Sequence, residues 1–591
     1  MRVRPKLMAL SSGLVALSLG LAACGGGGDD GDGGDGAGYN AAIENIVNPS
    51  DKKGGTLRMA ISSDIDSTDP GNMYYAWSTN FVRLYSRMLL TYPAKPGDEG
   101  RKPAPDLAED LGTPSDDYKT WTYKLKRGQK YEDGTEIKAA DIKYAVARTF
   151  DRSVLRSGPS YFADMLDAGD YKGPYKDKNL DNFKGVTTPD DYTVVFHLKR
   201  PFPEFNELVN FSGQTAPVPQ DKDKGERYGL HPVSSGPYKW EGDYTPGKGG
   251  TLVPNDQWDP SDPHRKQLPA KIEMIAGLNA EELDNQLLKG DIHVDLAGSG
   301  VQDNARKTIL TDDKLKEQAD NPVGGFHWYL PINSEVVPNV ECRKAMIWAA
   351  DRDAIWRAYG GDVGGDLATS IMPPDVDGRE KGTDYYTKAE KGYKGDVNKA
   401  KEALQACGKP EGFEVTMLYR SDRPKEQAVA VALQQSMGRV GIKLNLKGYP
   451  ANTYVTDQFG SPEFNKKNNV AIGTFGWLSD WPTGYGYLWA LTSSDAILPA
   501  GNINISMMKD KQIDDWWDQA YKTEDPAERA KLYNQIDDRF RSEAYVLPGV
   551  YAKSLMFRPD SLKNVFFHKA FGNRSTHRQP PIGPAITGIT L

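Results

Sequence analysis

The side chains that could carry out chemistry are spread along the chain and form no familiar catalytic motif. The sequence contains no His-Glu-x-x-His, no Gly-x-Ser-x-Gly, no Gly-Lys-Ser/Thr and no Cys-x-x-Cys. These patterns are typical of zinc peptidases, serine hydrolases, nucleotide-binding loops and thiol redox sites. We therefore expect neither an enzyme, nor a metal site, nor a cofactor. A glycosidase that uses two carboxylates needs no such motif and stays open as an alternative.

Cys24 is the reactive residue with the clearest local context. It follows a basic segment and an apolar stretch from Leu7 to Leu21, and it closes the tetrapeptide Leu-Ala-Ala-Cys. The apolar stretch is too short to span a bilayer and is typical of an export signal. The tetrapeptide resembles a bacterial lipobox, in which the cysteine receives a lipid. We predict a signal peptide over residues 1–23 and a lipidated Cys24 that anchors the protein to the outer face of the bacterial cell membrane. An ordinary signal peptide with an incidental cysteine is the alternative.

The segment after Cys24 is rich in glycine and aspartate and cannot bury apolar surface. We predict that residues 24–50 form a flexible tether.

Outside the cytoplasm two thiols are usually paired, so Cys342 and Cys407 are predicted to form a disulfide. Two separate buried thiols are the alternative.

Length and charge limit the architecture and the partners. The 591 residues exceed what one core accommodates and indicate two or three domains or lobes. The formal net charge is −8, and no stretch is rich in Lys and Arg. An acidic surface repels phosphate backbones, so we expect no nucleic-acid partner.

Hydrophobic periodicity separates two kinds of region. Thr56 to Ile61 suits a first strand, and Lys119 to Leu125 alternates as a half-buried strand. The pattern from Val340 to Tyr359 predicts one helix, and helical and strand patterns alternate after it. The predicted fold class is α/β (α+β), with a strand-rich part followed by a mixed sheet covered by helices.

A set of short segments resembles the oligopeptide, dipeptide and nickel class of extracytoplasmic solute-binding proteins, family 5. The segments occur in the family's order from about residue 55 to the C-terminus. They are LAED at 107–110, WTYKLKRG at 121–128, DGT at 133–135, ADI at 140–142, SGPY at 235–238, YLPIN at 329–333, CRKA at 342–345, AADR at 349–352 and GWLSDWP at 476–482.

The resemblance implies two lobes that close about a hinge onto a solute, with an extra subdomain on the first lobe. The implied boundaries are 51–91, 231–318 and 509–591 for the first lobe, 92–230 for the subdomain and 319–508 for the second lobe. It also implies a monomer that delivers its solute to the permease subunits of an ABC importer.

The resemblance further implies a ligand site built on Asp480, which would pair with the α-ammonium group of a peptide. The backbone of Gly476, Trp477 and Leu478 would pair with an extended peptide. The remaining implied ligand contacts are Trp481, Tyr74, Ala76 and Asn333. The resemblance places no basic residue as the partner of a ligand carboxylate, and Arg420, in the loop after the strand that begins at Phe413, is only a guess. Related proteins take oligosaccharides or metal chelates, and a receptor for a peptide signal would share the fold, so these alternatives stay open.

Overall fold

A computed structural model describes residues 38–211 and 213–571. The predicted signal peptide, Cys24 and nearly all of the glycine-rich tract lie outside these residues. Within the described part of the chain, no helix has the length and apolarity needed to cross a bilayer.

The first lobe is built around a five-stranded sheet whose strands come from distant parts of the chain. Thr56–Ile61 pairs in parallel with Lys271–Ala276 and with Val294–Asp295, which forms the sheet edge. Gly249–Pro254 and Tyr238–Trp240 continue the sheet in antiparallel fashion on the other side. The sheet therefore joins residues 51–91 and 231–318 in one body.

The stretch between these two parts of the first lobe contains a second, antiparallel sheet. Its strands follow the order Thr113–Pro114, Thr120–Lys124, Thr193–His197 and Val186–Asp190. Trp121 and Tyr123 point into the core because alternate residues of a strand share one face. Helix Ala139–Arg148 covers this sheet with buried Ile142 and Val146.

The second lobe contains two sheets. One has the order Gly365–Leu367, Val546–Lys553, Val323–Pro331 and Phe475–Trp477, all antiparallel. The other is parallel, with Glu414–Arg420 between Lys443–Tyr449 and Val470–Gly473. The helices packed in this lobe's core are Val340–Ala349, Arg352–Ala358, Val397–Ala406 and Pro424–Gly438.

The other α-helices and two small strand pairs connect or cover these sheets. Leu90–Thr91 pairs with Ala104–Pro105, and Ala319–Asp320 pairs with Met556–Phe557. The helices are Ala76–Val82, Tyr161–Met165, Phe205–Asn210, Ala280–Lys289, Asp303–Thr311, Asp313–Glu317, Gly361–Gly364, Ala451–Thr453, Pro462–Lys467, Gly484–Thr492, Lys511–Ala520 and Pro526–Ser542.

The prediction of one helix from Val340 to Tyr359 is wrong, because the segment forms two helices. The first ends at Ala349, and Ala350 takes an extended conformation. Asp351 then begins the second helix, and its carboxylate accepts a hydrogen bond of 2.8 Å from the backbone N–H of Ala354. An N-cap residue inside an apolar pattern thus ends one helix and starts another.

The C-terminal part of the chain stays with the second lobe for longer than the resemblance implies. Val546–Lys553 lies in the middle of the second lobe's antiparallel sheet. Met556–Phe557 then pairs with Ala319–Asp320, and Val565 bridges Val47. We therefore propose that the last return to the first lobe begins near Ser554 rather than at residue 509. Val47 belongs to the segment 24–50 predicted to be a flexible tether, but Ala42 and Val47 are buried, so the part of that segment that the structure describes is packed against the folded chain.

Cys342 and Cys407 are joined by a disulfide whose Cα atoms lie 5.3 Å apart. Cys342 lies in helix Val340–Ala349, and Cys407 directly follows helix Val397–Ala406. The bond closes a loop with a sequence separation of 65 residues, which restricts the unfolded chain.

Removal of this disulfide should destabilise the second lobe. We expect the double variant Cys342→Ala/Cys407→Ala to lose about 2–4 kcal/mol of unfolding free energy because the unfolded chain gains freedom. Thermal unfolding with and without a reducing agent measures this. The wild-type protein should melt earlier when reduced, whereas the variant should not respond to the reductant. Equal melting of wild type and variant under oxidising conditions would contradict the expectation.

Candidate ligand-binding site

A narrow cavity lies where the loop after the first strand, the subdomain and the segment after Phe475–Trp477 meet. Its volume is about 50 Å³, whereas pockets that hold small molecules usually have about 300–1,000 Å³. The loop contributes Tyr74 and Ala76, and the subdomain contributes Asn210 and Phe211. These walls must move apart before a solute of peptide size can enter.

Six of the eight residues expected to contact ligand line this cavity, namely Asp480, Trp477, Leu478, Trp481, Tyr74 and Ala76. The motif at 476–482 and the loop after the first strand are therefore brought together from opposite lobes. The closest observed link is a hydrogen bond of 2.9 Å from the Tyr74 hydroxyl to Oδ1 of Asp480.

Asp480 is a buried carboxyl group with a raised pKa. Its second carboxylate oxygen accepts a hydrogen bond from the hydroxyl of Tyr161 in the subdomain. Burial raises the pKa of Asp480 to about 7, although the hydrogen bonds from Tyr161 and Tyr74 lower it in part. Within residues 38–211 and 213–571, no cationic side chain forms an ion pair with this carboxylate. A desolvated carboxylate without a counter-charge is costly and favours the binding of a cation.

The Asp480 segment is held in place from its C-terminal side. The backbone N–H of Asp480 donates to the carbonyl of Gly486 at 2.9 Å, so the segment folds back onto helix Gly484–Thr492. Thr483 caps that helix by accepting a hydrogen bond of 3.3 Å from the N–H of Gly486. The geometry of Asp480 therefore depends on a capped helix start.

Glu204 of the subdomain connects this segment to the rest of the second lobe. Its carboxylate accepts hydrogen bonds from the Thr483 hydroxyl at 2.6 Å and the Trp481 indole at 3.3 Å. It also accepts from the Tyr533 hydroxyl at 2.7 Å and from Nε of Arg529 at 3.2 Å. Four donors on one carboxylate compensate its burial and hold Trp481 against the subdomain.

The opposite wall is held by Asp66, which lies in the loop after the first strand. Its carboxylate accepts the backbone N–H groups of Tyr74 at 2.6 Å and Tyr75 at 3.1 Å. The Ser78 hydroxyl donates to the other oxygen of Asp66. Tyr74 thus enters the cavity on a loop whose own backbone is fixed.

Two residues expected to contact ligand lie outside the cavity lining. A Cβ at Gly476 would come within 2.4 Å of the Phe326 ring, so glycine is needed there for packing. Asn333 uses its side-chain oxygen to accept the N–H groups of Glu335 at 2.9 Å and Val336 at 3.2 Å. It stabilises a turn rather than the site.

Arg420 is not available to a ligand carboxylate. It is 1 % exposed, and its Nε donates to Glu426 at 2.9 Å. The second carboxylate oxygen of Glu426 also pairs with this guanidinium. The arginine is therefore a buried structural residue of the strand that ends at position 420.

The structure also adds residues that the sequence motifs do not indicate. Tyr161 and Glu204 contact the Asp480 segment from the subdomain, and Tyr92, Asn210 and Phe571 line the cavity. None of them belongs to a recognisable motif. Tyr92, Tyr161 and Phe571 are aromatic, which equally fits a core, and Glu204 and Asn210 carry no sequence signal.

Comparisons with known proteins support the two-lobed fold. The chain is 37% identical to a solved structure described as clavulanic acid biosynthesis oligopeptide binding protein 2, with a TM-score of 0.89 and coverage of 94% of this chain and 99% of the other. A peptide complex of DppA from Helicobacter pylori shares the fold at 20% identity and a TM-score of 0.67, over 90% of this chain and 99% of that chain.

Among curated proteins, the glutathione-binding protein GsiB of Shigella flexneri is 26% identical over 515 residues, covering 84% of this chain and 88% of GsiB. The profile described as bacterial extracellular solute-binding proteins, family 5 Middle, matches residues 102–499. That match spans more than half of the chain and includes most of the subdomain and the Asp480 segment. The chain therefore belongs to family 5 of the bacterial extracellular solute-binding proteins, whose members serve ABC importers.

Proposed function

We propose that this protein captures a peptide with a free α-ammonium group and delivers it to the permease of an ABC importer. The observation that carries the proposal is the Asp480 carboxylate, which faces the cavity and, among the residues that the structure describes, has the hydroxyls of Tyr74 and Tyr161 as its side-chain partners. An α-ammonium group would supply the missing positive charge. It carries hydrogen-bond donors and no acceptor.

The strand next to Asp480 supports an extended ligand. Phe475–Trp477 is the terminal strand of its four-stranded sheet. An extended peptide can add to such an edge through main-chain hydrogen bonds that do not depend on its side chains. Trp477 and Leu478 line the same cavity as Asp480, so the edge leads to the carboxylate.

The names of the relatives fit a peptide better than the alternatives. One similar structure is named an oligopeptide-binding protein, and GsiB is named for glutathione, which is itself a small peptide. Aromatic walls would also suit an oligosaccharide, but a neutral sugar brings no charge to compensate Asp480. We further propose that the protein is a monomer. Lipidation of Cys24 would anchor it to the outer face of the membrane.

Removal of either partner of the ammonium–carboxylate pair should abolish tight binding. We expect Asp480→Asn to weaken binding of an unmodified peptide by at least about tenfold, since a desolvated charge would lose its partner. N-acetylation of the peptide should weaken binding to the wild-type protein to a similar extent. Isothermal titration calorimetry with peptides eluted from the native protein measures both effects.

Asp514→Asn is the matched control, because Asp514 lies on helix Lys511–Ala520 outside the cavity lining. It should leave the affinity unchanged. If Asp480→Asn and N-acetylation also leave it unchanged, the ammonium role is refuted.

Peptide affinity should depend on pH with a maximum slightly above neutrality. Protons compete with the ligand for Asp480, whose pKa is about 7 in the empty site, so affinity should fall as the pH drops below 7. Above pH 8 a peptide loses its own α-ammonium charge, since that group titrates at about 7.7–8.0. Calorimetry between pH 5 and pH 9 should give a bell-shaped profile, and Asp480→Asn should lack the acid limb. A flat wild-type profile would contradict the assignment.

The same carboxylate should destabilise the ligand-free protein at neutral pH. Its pKa is raised from 3.8 to about 7 in the folded state, so the unfolded chain releases this proton first as the pH rises. Folding stability therefore falls between about pH 4 and pH 7 and stays low above that window. We expect Asp480→Asn to raise the unfolding free energy by about 1–4 kcal/mol at pH 8, with little change at pH 4. Thermal unfolding of the ligand-free protein at both values measures this, and a variant that is less stable at pH 8 would disprove it.

A further inference from the structure

Asn210 is a buried polar residue in the wall of the narrow cavity that Asp480 lines, which we call the Asp480 cavity. Asn210 lines the same cavity and is 4 % exposed. Among residues 38–211 and 213–571, its side-chain oxygen has no hydrogen-bond partner. A buried acceptor without a donor is costly, and most such groups are satisfied by the protein, by water or by a ligand. We therefore examined which group could satisfy it.

The Asn210 amide projects from a rigid element of the subdomain. Asn210 is the last residue of helix Phe205–Asn210, whose Phe205 and Leu208 are packed in the subdomain core. The backbone N–H of Phe211 donates to the carbonyl of Leu208 at 3.1 Å and closes the last turn. A polar group on a fixed helix end is well suited to selective recognition, since its position does not adapt to every ligand.

The Tyr92 hydroxyl cannot satisfy the amide oxygen of Asn210. Tyr92 also lines the cavity, and its hydroxyl lies beside the amide, where it can accept a hydrogen bond from the amide nitrogen. Its single proton, however, is donated to Oε2 of Glu207 at 2.8 Å. The amide oxygen therefore needs a donor from elsewhere, and the second N–H of the amide remains for an acceptor.

The surroundings of Asn210 favour a neutral donor. Nη2 of Arg83 donates to the backbone carbonyl of Tyr92 at 2.6 Å, and the guanidinium lies 4.8 Å from the centroid of the Phe571 ring. A cationic side chain on the ligand would be repelled by this buried arginine. A carboxylate on the ligand has no proton to donate to Asn210. Neutral amide and hydroxyl groups avoid both problems.

The rest of this end of the cavity is largely apolar. Met88 and Phe571 line it, and Phe571 packs edge-on against Tyr92 with ring centroids 5.8 Å apart. An apolar pocket with a single well-placed polar group is typical of a site that orients one group of a ligand. A ligand main chain would instead need a polar partner for each of its peptide groups, as the edge strand Phe475–Trp477 can provide.

We infer that Asn210 is a specificity-determining residue that binds the side chain of the first ligand residue and selects a primary amide. A primary amide carries donors and an acceptor, so it can pair with the oxygen and the nitrogen of Asn210 at once. Asp480 and Asn210 line one cavity of about 50 Å³, so both contacts would fall on the same ligand residue. The inference rests on the proposed peptide-binding function and adds a substrate preference to it.

The size of the expected preference follows from unpaired polar atoms. An apolar side chain of similar shape would leave the Asn210 oxygen unsatisfied in the closed site, and a site built to form a hydrogen bond rejects an analogue that lacks the matching group. Leucine has nearly the shape of asparagine and no polar side-chain atom. The substitution Asn210→Leu should therefore reverse the preference, because a buried ligand amide would then be the unpaired group.

The experiment uses synthetic peptides of three to five residues that differ only in the first residue. That residue is glutamine, methionine, glutamate or alanine, and the others are alanine. Isothermal titration calorimetry at pH 7.5 measures each affinity. For the wild-type protein we expect the glutamine peptide to bind roughly tenfold more tightly than the methionine and glutamate peptides. For Asn210→Leu we expect the methionine peptide to bind more tightly than the glutamine peptide.

Asn398→Leu is the matched control, because it makes the same change at an exposed position on helix Val397–Ala406 outside the Asp480 cavity. It should keep the wild-type preference. The ratio of two affinities within one protein does not depend on the fraction of folded molecules, and thermal unfolding checks that each variant is folded.

Equal wild-type affinities for the glutamine and methionine peptides would overturn the inference. A preference for glutamine that persists in Asn210→Leu would also overturn it, even if all affinities fell together, because Asn210 would then act on the main chain or on packing. In both cases binding of the alanine peptide by the wild-type protein would leave peptide capture intact. If the wild-type protein binds none of the peptides, the proposed function itself fails, and the inference fails with it.

Discussion

The burial of one carboxylate without a cation is the constraint on which the site depends. Asp480 is drawn out of water between the subdomain and the second lobe, where Tyr74 and Tyr161 are its side-chain hydrogen-bond partners. Two hydroxyl groups can donate hydrogen bonds, but they cannot neutralise a charge. The charged carboxylate is therefore less stable in the empty site than in the occupied one. A cationic group on a solute lowers the free-energy cost of burying the charge.

Three other buried carboxylates near the cleft hold its walls in place. Asp69 forms a two-bond ion pair with Arg148 at 3.0 and 2.6 Å, which ties the loop after the first strand to the subdomain. Glu204 gathers four donors and holds Trp481. Asp66 fixes the backbone at Tyr74. Asp69 and Glu204 each have an arginine partner, whereas Asp66 relies on two backbone N–H groups and one hydroxyl, and burial raises its pKa as well. Asp480 differs from these three because it faces the cavity.

Much of the fold could be predicted because its elements have local signatures. The strand Thr56–Ile61 follows from its apolar alternation, and the helix starting at Pro526 follows from the N-cap at Asp525. The position of Asp480 could be predicted only through a resemblance, since no local pattern distinguishes it from an exposed acid after a turn.

What could not be predicted depends on contacts between distant residues. Glu204 meets Arg529 across 325 positions of sequence, and Tyr161 meets Asp480 across 319. Arg420 illustrates the opposite error, because a basic residue after a strand suggests a ligand contact until its buried partner Glu426 is known. The place of Val546–Lys553 in its sheet could not be predicted for the same reason, since its strand partners lie more than 170 residues away in the sequence.

The buried carboxylate of Asp480 also bears on how closure of the cleft is coupled to binding. When the walls meet around Asp480 they enclose a carboxylate whose side-chain partners, among the described residues, are two tyrosine hydroxyls. This burial opposes closure of the empty protein, while hydrogen bonds such as those to Glu204 favour it. A ligand shifts this balance only through interactions that differ between the open and closed forms. An α-ammonium group would supply such an interaction, so closure would report the presence of a charged amino terminus rather than of any particular side chain.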